Sequence, residues 1–271
     1  GVNWPLMKIG MSVIPVFTFR TITIVGGGLC LLAMCRYLGY SLKVPRAQWP
    51  PLVLVTTLIF GFQVGSGYGV LYTGSGRAAV MAYTMPVWAF LIGIPVLGER
   101  PRPVQWLGLL LGLGAIAVLM LRGWTQLGEA PLGVVVMGGG AMCWATGTII
   151  MKNVKWQKPM SLIVGWQFLL GSLPFAWLMM DDLPTLVWPG TEVALAVFYT
   201  LALALAFGFW AWFRIVEMVP ASVASLSVLA IPAIGVVSGH LILGEAIGLT
   251  ELAALGLLLG ALATIVLPQR R

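Results

Sequence analysis

The sequence predicts an all-α integral membrane bundle of ten helices, built from two five-helix repeats of inverted topology. Two observations predict it. The first is composition: 60% of the 271 residues are hydrophobic and 8% are charged. A soluble domain carries about 25% charged residues. So many apolar side chains cannot share one water-surrounded core, so the solvent for most of them is lipid. The second is that one stretch occurs twice. Arg77–Arg122 lies on Val223–Pro268 without a gap. Pro86 then falls on Pro232, Gly93 on Gly239, and Leu97-Gly98-Glu99 on Leu243-Gly244-Glu245. Gly114-Ala115 falls on Gly260-Ala261 in the same register. A repeat of this length sets the architecture and is read before anything else.

A spanning helix needs roughly 20 mostly apolar residues. Such runs are Val16–Leu38, Pro51–Thr73, Gly76–Leu97, Val104–Leu121, Leu132–Met151, Met160–Met180, Glu192–Phe213, Ala221–Leu243 and Glu251–Leu267. Gly1–Val13 is apolar but too short to span. Gly1–Lys8 lies on Ala145–Lys152, with Met7-Lys8 on Met151-Lys152. The partner helix begins well before Ala145. The numbered chain is therefore expected to start inside a truncated first helix, with Gly1 near the bilayer middle. The repeats are residues 1–122 and 131–271, joined across Gly123–Pro131.

Five helices per repeat is an odd number, so the second repeat enters from the opposite side of the membrane. Charge orients the chain. With the N-terminus of the truncated first helix placed in the cytoplasm, the cytoplasmic ends hold Arg36, Lys43, Arg46, Arg100, Arg102, Lys152, Lys155, Lys158, Arg214, Arg270 and Arg271. The outer side holds Lys8, Arg20, Arg77 and Arg122. This is the positive-inside bias, and it accounts for the net charge of +7 without nucleic acid. Both termini are then cytoplasmic. Cys30, Cys35 and Cys143 lie in apolar runs without metal-ligand spacing, and read as packing residues. No cofactor or metal is expected.

These motifs resemble the EamA repeat of the drug/metabolite transporter superfamily. The resemblance rests on Pro86 to Leu97-Gly98-Glu99, on its copy at Pro232 to Leu243-Gly244-Glu245, and on Trp144-Ala145-x-Gly147 to Lys152. It implies an intramembrane cavity between the halves and outward movement of small metabolites or amino acids. The aromatic richness is most similar to the family's aromatic-amino-acid exporters. A bacterial inner membrane and a monomer are expected. The alternatives are an exporter or exchanger of drugs or organic cations, or of nucleotide-linked or phosphorylated sugars. Phosphate would ask for several interior Lys or Arg, and the runs contain almost none.

All eight acids lie at helix ends or in loops. No intramembrane carboxylate is seen to serve as a proton site, and no protease motif is present. The chain is expected not to be an enzyme. Pro86 and Pro232 are read near the middle of their helices. There each removes an N–H and frees a carbonyl, which makes them candidate hinges. The substrate candidates are Gln63, Tyr68, Tyr72, Tyr83, Trp144, Trp166, Gln167, Tyr199, Trp210 and His240. An amide inside a helix must find a partner, and stacked aromatics accept apolar bodies and attract ammonium groups. Tyr68 and Tyr72 share a face. His240 is the sole histidine and reads first as a packing residue. Arg20 is placed to meet a carboxylate, and Lys152 to snorkel. Gly108-x-x-x-Gly112 and Gly256-x-x-x-Gly260 are expected to pack the fifth and tenth helices against their own halves.

Overall fold

A computed structural model describes residues 2–73, 82, 84–120, 131–182, 190–244 and 248–266. Among these residues there are helices and turns and no strands. The helices are α1 (Asn3–Met11), α2 (Val16–Tyr37), α3 (Trp49–Thr73), α4 (Met85–Leu97), α5 (Pro103–Met120), α6 (Pro131–Asn153) and α7 (Met160–Gly171). They continue as α8 (Leu173–Leu178), α9 (Thr191–Tyr199), α10 (Gly208–Met218), α11 (Ala221–Ser227), α12 (Ala230–Leu243) and α13 (Leu249–Val266). A π-helical segment, Thr200–Phe207, joins α9 to α10 without interruption. Four described stretches are long and apolar enough to cross a membrane: Val16–Tyr37, Arg46–Gly65, Met160–Asp181 and Thr191–Met218.

Local chemistry sets the ends. Pro15 is extended, at ψ 145°, and starts α2. Gly39, with φ +82°, ends it, and Tyr40 N–H closes back on the Cys35 carbonyl. The two Leu-Gly-Glu stops behave alike. Gly98 has φ +66° and Gly244 has φ +67°. This left-handed conformation is costly for any residue with a Cβ, so glycine ends both helices.

The two prolines do not sit inside unbroken helices. Pro86 lies in the first turn of α4, where the N–H groups of Val87 and Trp88 both reach the Thr84 carbonyl. Pro232 lies in the first turn of α12, just after the chain breaks at Val228 and Leu229. The physical reason is that the first helical turn has no use for the missing N–H. The Val228 carbonyl, one turn before Pro232, takes the Ile231 N–H instead. Proline inside a helix does occur, but at Pro95 in α4.

The chain packs into two compact units, each drawing on both sequence repeats. One comprises residues 61–149 and 218–271. Its core joins Phe90, Leu109, Ala115, Leu226, Leu229, Ala254, Leu258 and Ala261. Here α5 and α13 pack against each other, and Gly108, Gly112 and Gly260 face the opposite half rather than their own. A Cβ on Gly108 would collide with the Thr264 hydroxyl of α13, and one on Gly260 would meet Leu111 at 3.4 Å. Gly256 faces open space.

The other unit comprises residues 2–60 and 150–217. Its centre is α2. Gly28 of α2 and Gly165 of α7 cross so closely that a Cβ on either would lie 3.1 or 3.3 Å from the other's carbonyl oxygen. Gly26 and Gly27 rest on Leu201 of the π-helical segment. At one end Asp182 Oδ2 accepts both the N–H and the hydroxyl of Thr18, capping α2. Toward the other end Cys35 and Ser161 share a 3.1 Å hydrogen bond. Outward-facing Leu29, Leu110, Leu195, Phe198, Leu241 and Leu259 are exposed, as lipid contact requires.

Candidate functional site

The predicted site residues divide between the two units. In the first, Phe62 of α3 and Trp144 of α6 meet edge to face, with centroids 5.7 Å apart and planes at 66°. Met137 and Met85 complete this cluster. Gln63, next along α3, is half-buried, as is Trp144. Tyr83 lies outside the described residues, as do the side chains of Tyr68, Tyr72 and Pro232. Pro86 is buried. His240 lies in the last turn of α12 and is exposed. Its backbone carbonyl accepts the Gly244 N–H that closes the helix.

In the second unit, Trp166 packs on Trp49 at 5.6 Å and donates its indole N–H to the Leu42 carbonyl at 2.9 Å. That bond ties α7 to the connection after α2, so this tryptophan is anchored. Gln167 is fully buried, and neither end of its amide has a hydrogen-bond partner among the described residues. A buried amide without partners costs free energy in the conformation that isolates it. Tyr199 and Trp210 are half-buried and flank the π-helical segment. Trp210 tilts against Phe207 at 5.7 Å. Segments of this kind often occur at functional sites, because the wider turn re-aims the side chains that follow.

Two cations make contacts that the sequence did not show. The Arg20 guanidinium carbon stands 5.9 Å from the Phe175 ring centroid, a cation–π contact. Lys152 does not simply reach for headgroups. Its ammonium donates to the Val216 carbonyl in the last turn of α10, at 2.9 Å.

Four residues escaped sequence reasoning. Glu99 accepts the Ala221 N–H and so caps α11, 122 positions away in the chain. Asn3 Oδ1 accepts the Thr200 hydroxyl at 3.1 Å, at the start of the π-helical segment. Thr148 is buried in α6 with no partner for its hydroxyl among the described residues. Glu99 stood out as part of the repeated Leu-Gly-Glu motif but not as a cap, and for Asn3 and Thr148 the sequence signal is a polar residue in an apolar run. The fourth is Asp182, whose capping of Thr18 had no signal in the sequence.

Comparison with known proteins agrees with this architecture. Residues 1–121 and 131–267 match the EamA-like transporter family. The chain is 26% identical to the uncharacterized transporter YvbV of Bacillus subtilis, over 98% of this chain and 87% of that protein. It is 24% identical to the uncharacterized inner membrane transporter YedA of Escherichia coli, again over 98% and 87%. A solved crystal structure shares its fold with a TM-score of 0.85 at 21% identity, covering 98% of this chain and 92% of that one. The apolar helices and the transporter relatives together describe a multi-pass membrane protein. With both stretches of the chain matched, it belongs to the EamA-like transporter family.

Proposed function

We propose that this protein exports aromatic and other neutral amino acids, and related small metabolites, by alternating access. In this reading ten helices form two inverted repeats, residues 1–122 and 131–271, in a bacterial inner membrane, with both termini cytoplasmic and the protein monomeric. The observation that carries the transport mechanism is the matched pair of helix starts at Pro86 and Pro232, with matched left-handed glycine stops at Gly98 and Gly244. Discontinuous helices at corresponding places in two repeats are where transporters build substrate sites. Pro86 and Pro232 then act as hinges at helix starts, not as mid-helix kinks.

The substrate class rests on the side chains. Gln63, Tyr68, Tyr72, Tyr83, Trp144, Gln167, Tyr199 and Trp210 offer aromatic faces and amides. Such a set suits an apolar body with a zwitterionic head. Trp166 is the weakest of the original set, because its indole N–H is already committed to Leu42. His240, exposed in the last turn of α12, is kept as a peripheral contact only.

The test is uptake of labelled phenylalanine, leucine and a nucleotide-linked sugar into proteoliposomes. Saturable phenylalanine flux without sugar flux is expected. Sugar flux alone would replace this reading with the sugar exchanger.

A further inference from the structure

Threonines inside helices close their hydroxyl on the carbonyl one turn back, because little else in an apolar span can satisfy it. This chain does so repeatedly. Thr21 bonds Phe17, Thr23 bonds Phe19, Thr56 bonds Leu52 and Thr57 bonds Val53, at 2.8–2.9 Å. On α6, Thr146 bonds the Met142 carbonyl at 2.8 Å. Thr148, two residues further along the same helix, does not. It is 4% exposed, and its hydroxyl has no partner among the described residues. The side chain has given up the bond its own helix offers, and the group stays desolvated without return.

The surroundings say what could supply the missing partner. Trp144 precedes Thr148 by four residues and so shares its face of α6. Its indole is half-buried against the edge of Phe62. Ile149 lies 3.7 Å from a Cβ built on Gly93, so this turn of α6 packs beside α4, the helix that Pro86 opens. One turn therefore presents a flat aromatic surface and, beside it, a buried hydroxyl that can both donate and accept.

We infer that Thr148 holds the polar head of a small amphipathic substrate whose apolar or aromatic body lies against Trp144. This rests on the amino-acid reading above and deepens it by naming a recognition residue. An α-amino acid with an apolar side chain is the class that fits. A hydroxyl buried for such a head discriminates by what is left unpaired when the head is missing.

The test uses the full chain in proteoliposomes and the isosteric Thr148→Val, with Thr148→Ala as a second variant and Thr148→Ser as rescue. Expected is a rise of about tenfold in KM for phenylalanine, the size of one lost hydrogen bond. The maximal rate and the melting temperature should not fall, and Thr148→Ser should restore KM. Phenethylamine and 3-phenylpropanoate as competitors identify the head. A loss of potency in Thr148→Val for either one supports the assignment and names the ammonium or the carboxylate. An unchanged KM in both Thr148→Val and Thr148→Ala, with both competitors unaffected, overturns it. Absence of phenylalanine uptake by the unmodified protein would instead sink the substrate reading itself.

Discussion

Glu99 shows how one side chain can connect distant parts of a chain. It follows the left-handed Gly98 that ends α4, so the chain turns sharply and its carboxylate is carried to the start of α11. There it accepts the Ala221 N–H, one of the donors that a helix start leaves unpaired. The negative charge also lies at the positive end of the helix dipole. Glu99→Ala should therefore cost about 1 kcal/mol of stability, in the range of a lost cap. Glu99→Gln, which keeps an accepting oxygen but not the charge, should cost less. Thermal unfolding in detergent distinguishes the two. If both variants melt with the unmodified protein, the cap contributes nothing.

At the scale of the element, the crossing of α2 on α7 depends on two missing side chains. In lipid, helices gain little from hiding apolar surface and associate through close packing. Gly28 and Gly165 allow this, each backbone approaching the other's carbonyl. A methyl at Gly28 would also meet Phe168 Cβ at 3.0 Å and Leu169 Cδ2 at 3.1 Å. Gly28→Ala should destabilise the protein by roughly 1–3 kcal/mol, the usual cost of overfilling a packed contact. Gly39→Asn is the opposite case. Its φ of +82° is tolerated better by asparagine than by most residues, and nothing lies within 4 Å of the added Cβ. It should fold with a smaller loss than Gly28→Ala. Melting temperatures of the pair, measured side by side, check the ordering.

For the whole molecule, the charge distribution predicts sidedness. In a variant without Cys30, Cys35 and Cys143, a single cysteine at Lys43 or Lys155 should react with a membrane-impermeant thiol reagent only from the cytoplasmic side. One at Asp181 should react only from outside. Reaction of all three from one face would defeat the inverted arrangement. Coupling is predicted from the same inventory. The acids lie at helix ends or in loops, and His240 is exposed in the last turn of its helix. The sequence places no carboxylate in the middle of an apolar run, so no group is expected to change protonation between inward-open and outward-open states, which coupling demands. An imposed pH gradient should leave phenylalanine flux within about twofold, in the unmodified protein and in His240→Ala alike, since no differential affinity drives a shift. A several-fold stimulation abolished in His240→Ala would assign that residue proton transfer.

What the sequence determined by itself are properties carried by composition and local pattern. Lipid is the solvent because too few charges exist to cover a soluble surface. The apolar runs became helices because an isolated backbone in lipid must satisfy its own hydrogen bonds. The Leu-Gly-Glu stops were readable because a left-handed turn has one good residue for it. The tertiary structure alone decided what depends on which surfaces meet. The π-helical segment at Thr200 and the pairing of α5 with α13 involve contacts between segments far apart in sequence. Thr148 and Gln167 belong there too: from sequence they are polar residues in apolar helices like several others. Only the folded arrangement shows that, among the described residues, neither has a hydrogen-bond partner, because burial and satisfaction are properties of surroundings and not of a residue.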